Sequence, residues 1–182
     1  GFRFSEEMIA ERLEAAAGGR SKPQRSSGAI GVLPLFGVLN YRVGPLEQMS
    51  GMSGMAEWTA NFRALVEDDR VGSIVIPVDS PGGNIYGITE AAQAIYDARG
   101  SKPITAAVDP MAASAALWVA SAASEVVSTP SGTVGSIGVL MVHTDQSGAL
   151  EKEGLKVTVI ESSQSPYKTE GFGHQALSEE AY

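Results

Sequence analysis

The residue best placed for covalent chemistry is Ser114, in Met111-Ala112-Ala113-Ser114-Ala115-Ala116. Small neighbours set the hydroxyl apart and leave room for a substrate backbone. By composition alone it reads as a helix serine bonded to its own backbone; its place after a strand end argues otherwise. A serine nucleophile also needs a base. The sequence offers His143, His174 and the lysines, among which Lys168 sits in Ser165-Pro166-Tyr167-Lys168-Thr169 after the last expected strand. A lone histidine closing a strand, as His143 does, is more often structural, and a loop lysine is more often a solvated charge. The third ingredient is Asp79-Ser80-Pro81-Gly82-Gly83-Asn84. Paired glycines let backbone N–H groups approach a ligand without Cβ obstruction, and at a helix start such groups stabilise an oxyanion. A tight strand-to-helix turn is the plain alternative.

Composition removes other chemistries. The 182 residues include no cysteine and two histidines, which leaves out thiolate catalysis, disulfides and a multi-histidine metal centre. No metal or cofactor is expected. Thirteen basic against twenty-one acidic residues give a net charge of −8, the wrong sign for a nucleic-acid partner. No apolar run reaches the ~18 residues of a membrane span, and the charged first residues do not read as a signal peptide. Opening on Gly1, the chain reads as a processed or trimmed product.

These residues need elements to hold them. Ser5 caps an expected helix over Glu6 to Ala17, ended by Gly18-Gly19 and followed by a solvated linker from Arg20 to Gly28. The expected organisation is an N-terminal helix and linker over 1–28 and one domain over 29–182, expected to lack its natural C-terminal part. Strands are expected at Ala29–Leu35, Ser73–Val78, Pro103–Val108, Glu125–Ser128, Ile137–His143 and Lys156–Ile160. Helical spacing appears in Met55, Trp58, Phe62 and Leu65, in Ile88, Ala91 and Ile95, and over Ala112–Ala123. Asp145 caps a short helix between the last two strands. Strand–helix alternation with continuous apolar strands predicts a parallel α/β sheet. In such a sheet the strand ends before Gly82 and Ser114 share one edge, where ligands bind.

Taken in order, Asp-Ser-Pro-Gly-Gly, Met111 to Ala123, and Thr133-Val-Gly-Ser-Ile-Gly-Val139 resemble the signal peptide peptidase A (protease IV) family. His143 to Thr158, followed by Tyr167-Lys168 and a glycine, is similar to its phage branch, the minor capsid protein C-type or prohead proteases. The resemblance covers Ala29 to Tyr182. It implies an α/β Clp/crotonase-like fold, with a mainly parallel sheet flanked by helices, and a serine endopeptidase with a Ser-Lys dyad. It makes Ser114 the nucleophile, Lys168 the general base and Ser136 the serine that hydrogen-bonds that base. Gly82, Gly83 and Ala115 match the oxyanion and substrate-binding positions. Two departures stand out: Ala115 and Ala116 replace glycines common after the nucleophile, and Lys168-Thr-Glu-Gly-Phe-Gly173 departs from the phage lysine loop.

The chemistry is coherent without the name. An ordinary lysine, pKa ~10.4, is protonated at neutral pH and cannot accept a serine proton. A lysine base must be held neutral in an apolar site, and a hydroxyl such as that of Ser136 orients it without adding negative charge. The resemblance further implies a homo-oligomeric ring and a peptide or protein substrate, either capsid scaffold or leader peptides. The expected location is the host cytoplasm or viral procapsid, or the bacterial membrane if an anchor was trimmed. Three alternatives share the residues: a Ser-His-Asp triad through His143, a crotonase-type acyl-CoA enzyme, and an inactive capsid component.

Overall fold

Val71, Ile74, Ile76, Val78 and Ser80 are buried in near-alternation, and the chain through them runs extended as the sheet's central strand. The computed structural model describes residues 28–160, 162–164 and 168–179. The expected helix over Glu6–Ala17 and the linker up to residue 27 lie outside them. The chain divides into two units, Gly1–Gly138 and Val139–Tyr182.

In the first unit the strands are β1 (Ala29–Val32), β2 (Leu35–Asn40), β3 (Ser53–Gly54), β4 (Val71–Gly83), β5 (Ile104–Ala113), β6 (Glu125–Ser128) and β7 (Thr133–Gly135). Every ladder among the described residues is parallel, in the order β3-β2-β4-β5-β6. The two long strands are each flanked in halves. β1 pairs with the first part of β4 and β2 with the last; β6 pairs with the first part of β5 and β7 with the last. Helices α1 (Pro45–Met49), α2 (Met55–Glu67), α3 (Ile88–Ala98) and α4 (Ala115–Ser121) complete the unit. α3 packs against both α2 and α4, and α4 lies on β4 and β5. Leu35, Phe62, Ile76, Ile88, Ile95 and Val119 are fully buried between these layers. This is the expected mainly parallel sheet flanked by helices.

The differences from expectation have two causes, a proline that breaks one run and partner strands that lengthen others. Ala29–Leu35 is two strands because Pro34, with no N–H to donate, interrupts the ladder. The Trp58 indole N–H donates to the Pro34 carbonyl at 2.8 Å and fixes the break. β4 runs on through Asp79–Gly83, which the sequence presented as a turn, because β2 pairs with it there. β5 likewise continues to Ala113, where β7 pairs with it, so α4 is shorter than the apolar run suggests. Partners extend both strands beyond what their own side chains signal.

The second unit holds α5 (Ser147–Lys152) and a 3-10 turn over Glu170–Phe172. The N-cap of α5 is Gln146, one residue later than expected; Asp145, just before it, accepts the Ser147 N–H at 2.9 Å, and this bond holds its carboxyl below the usual range. No strand forms over Ile137–His143 or Lys156–Ile160. Both runs have strand-like residues, yet neither has a neighbouring ladder among the described residues; β6 and β7 already line β5.

Candidate active site

Ser114 connects β5 to α4 with φ 54° and ψ −125°. A side chain makes that conformation costly, of order 1–3 kcal/mol, so the surroundings must impose it. Its N–H donates to the Gly135 carbonyl at the end of β7 (3.0 Å), and its carbonyl accepts the Trp118 N–H (3.1 Å), the first bond of α4. The residue is pinned from the sheet on one side and from the helix on the other. Ala115 and Ala116 are buried beneath it, and Ser114 itself is half-buried. A serine on a sharp, strained strand-to-helix turn has its hydroxyl lifted clear of both elements.

Gly82 forms the facing wall. Its φ is 94°, and a Cβ there would lie 2.7 Å from both the Ser114 Cβ and the Ala113 carbonyl oxygen, and 2.9 Å from the Ala115 nitrogen. Gly83 is required by the opposite neighbour: its Cβ would fall 2.0 Å from the Leu39 carbonyl oxygen of β2. The pair therefore lets three pieces of backbone converge beside Ser114. One detail corrects the sequence reading. The two glycines end β4 and are not at a helix N-terminus, since α3 starts only at Ile88 after Gly87. The Asn84 N–H continues the ladder to the Leu39 carbonyl (2.8 Å), which delays the helix. The Gly82 N–H is moreover engaged by the Ser80 hydroxyl at 3.1 Å. At the start of α4, the Ala115 N–H precedes the first ladder bond.

Ser136 follows β7 at φ 56° and is exposed. Ser114 and Ser136 are the two non-glycine residues at positive φ among the described residues. They are also the two serines singled out by motif, and they are linked through Gly135, whose carbonyl takes the Ser114 N–H. Sequence reasoning missed β7, the strand that makes this link. Its signal was the short β-prone Thr133-Val134 ahead of Gly135, too brief to register as a strand.

Lys168 lies in the second unit and is exposed. So do both histidines. The His143 Nε2 is 3.1 Å from the Gln175 carbonyl; a carbonyl only accepts, so this nitrogen carries the proton. The His174 Nε2 is buried without a partner. No group of three or more His, Asp or Glu side chains is arranged to hold a metal ion among the described residues.

Residues 97–182 match the model of peptidase family S49. That stretch belongs to peptidase family S49. It contains Ser114, Ser136 and Lys168, while Gly82 and Gly83 precede it. Among curated relatives, the head-tail preconnector protein GP5 of Enterobacteria phage P21 is 36% identical over 172 residues, 93% of this chain and 34% of its own length. The capsid assembly protease C of Escherichia phage lambda is 36% identical over 145 residues, 80% of this chain and 33% of its own length. Protease 4 of Salmonella typhi is 29% identical over 118 residues, 64% of this chain and 19% of its own. The chain thus spans about a third of the length of the two phage relatives. Among solved structures, a membrane protease specific for a stomatin homologue from Pyrococcus horikoshii aligns at 20% identity and TM-score 0.44, over 61% of this chain and 50% of that one. No described helix is long and apolar enough to cross a membrane.

Proposed function

We propose that this S49 chain is a serine endopeptidase with a Ser-Lys dyad, acting as a prohead protease on capsid scaffold and on itself. The observation that carries the reading is Ser114 held at φ 54° on its strand-to-helix turn against Gly82. The phage relatives, one of them a capsid assembly protease, extend over more of this chain than protease 4 does, which supports the capsid role over leader-peptide degradation.

In the reaction, the Ser114 Oγ attacks the scissile carbonyl carbon as its proton passes to the Lys168 amine. The carbonyl electrons move onto oxygen, and the oxyanion is stabilised by the main-chain N–H of Ala115, with the Gly82–Gly83 wall shaping the space in which it forms. Collapse breaks the C–N bond, and Lys168 returns its proton to the leaving amine. Water, deprotonated by the same amine, then hydrolyses the acyl-enzyme and regenerates Ser114. Ser136 accepts a hydrogen bond from the lysine and fixes its direction. The peptidase domain extends over 29–182, and the protein works in the procapsid or host cytoplasm.

The protein assembles as a homo-oligomeric ring. Val139, Leu140, Met141 and Val142 are 71–83% exposed, and an apolar run of that kind favours burial against another chain. Dilution to a monomer is expected to abolish activity; a fully active monomer contradicts the ring.

Wild type and Ser114→Ala, each incubated with scaffold protein and mapped by mass spectrometry, test the function. Serine-dependent cleavage of scaffold and of the chain itself is expected; its absence overturns the reading. Lys168→Ala is expected to lower turnover at least ~10²-fold, the scale of a lost general base. His143→Ala, which loses the Gln175 contact and a charge beside Asp145, should stay near wild type; the reverse result would install a histidine base.

A further inference from the structure

Ser80 is fully buried, one of two buried polar side chains in the described core. A hydroxyl in that position must find partners, because leaving it unpaired costs free energy. It has two. Its Oγ donates to the Gly37 carbonyl of β2 at 2.6 Å and accepts the Gly82 N–H at 3.1 Å.

Both partners stand where the β2–β4 ladder slips. Phe36 pairs with Asp79, and the next pair is Val38 with Gly82, so one residue of β2 and two of β4 lie between the pairs. Gly37 has φ 66° and a Cβ there would meet the Gly51 carbonyl oxygen at 1.7 Å; Gly82 has φ 94° and abuts Ser114. A slipped parallel ladder leaves backbone groups without a rung. The Ser80 hydroxyl spans that gap, using its one proton and one lone pair. We infer that Ser80 is a positioning residue for the reaction: its hydroxyl replaces the missing rung and holds Gly82 at the distance that shapes the wall facing Ser114. Having no exposed surface, Ser80 meets no substrate and acts only through Gly82. The inference rests on Ser114 as nucleophile.

Labelling of Ser114 by a fluorophosphonate probe tests it, because saturation kinetics separate the maximal rate (kinact) from probe binding (KI). In the full chain, Ser80→Ala is expected to lower kinact roughly 10- to 100-fold, the scale of a sub-ångström to 1 Å misplacement, with KI within about twofold of wild type. Ser80→Thr keeps the hydroxyl and should recover most of the rate. Ser80→Cys keeps the volume but bonds weakly, and should be slow; it decides the matter if the alanine variant does not fold. Wild-type kinact in folded Ser80→Ala or Ser80→Cys would overturn the inference and leave Ser80 a purely structural residue. A wild type that leaves Ser114 unlabelled would instead overturn the nucleophile assignment beneath it.

Discussion

Ser114 carries backbone strain that its surroundings impose. Bonds to Gly135 and Trp118 hold it from both sides. Replacing it separates strain from chemistry. Ser114→Ala keeps a Cβ at φ 54°, whereas Ser114→Gly does not, so glycine should be the more stable variant by about 1 kcal/mol in urea unfolding, with neither active. Equal stability would mean that the turn relaxes when the hydroxyl is lost. Motif reading found both serines and the glycine pair, but their backbone angles were not legible in it. Residue type announces positive φ only when the residue is glycine, and here the strain falls on serine. The reason for the glycines was also hidden. Gly82 is required by Ser114 and Gly83 by Leu39, contacts between residues more than thirty positions apart.

Elements were legible in proportion to how far their own side chains specify them. α2 and α3 each bury one face at helical spacing, through Trp58 and Phe62 or Ile88, Ala91 and Ile95, and both formed where expected. Glu125–Ser128 formed as β6. β2, interrupted by Gly37, the three-residue β7, and the proline-, glycine- or alanine-rich distal halves of β4 and β5 escaped notice because they exist through their neighbours' ladders. Ile137–His143 and Lys156–Ile160 show the converse: strand-like residues do not make a strand without a paired edge. The break at Pro34 offers a test at this scale. Trp58→Phe removes the donor to the Pro34 carbonyl while keeping an aromatic ring stacked near Phe62 (5.8 Å between centroids). A loss of about 1–3 kcal/mol in urea unfolding is expected; an unchanged midpoint would show that this carbonyl is satisfied without the indole.

Across the whole chain, apolar burial is uneven. The buried hydrophobic residues run from Leu35 to Ala123, and none of the described residues of the second unit is buried. A fragment of residues 28–138 should therefore unfold cooperatively in urea, and one of 139–182 should show no cooperative transition. A cooperative transition in the shorter fragment would require a core of its own that side-chain burial does not provide. Scarce charge, alanine and glycine take on a function at this scale: they let backbones close tightly around one serine hydroxyl in a chain with no cysteine to serve instead. The most direct measurement is intact-mass and peptide-mapping analysis of the protein after treatment with a fluorophosphonate. A single adduct on Ser114, absent in Ser114→Ala, is predicted. An unmodified Ser114, or equal modification of the alanine variant elsewhere, would contradict Ser114 as the nucleophile.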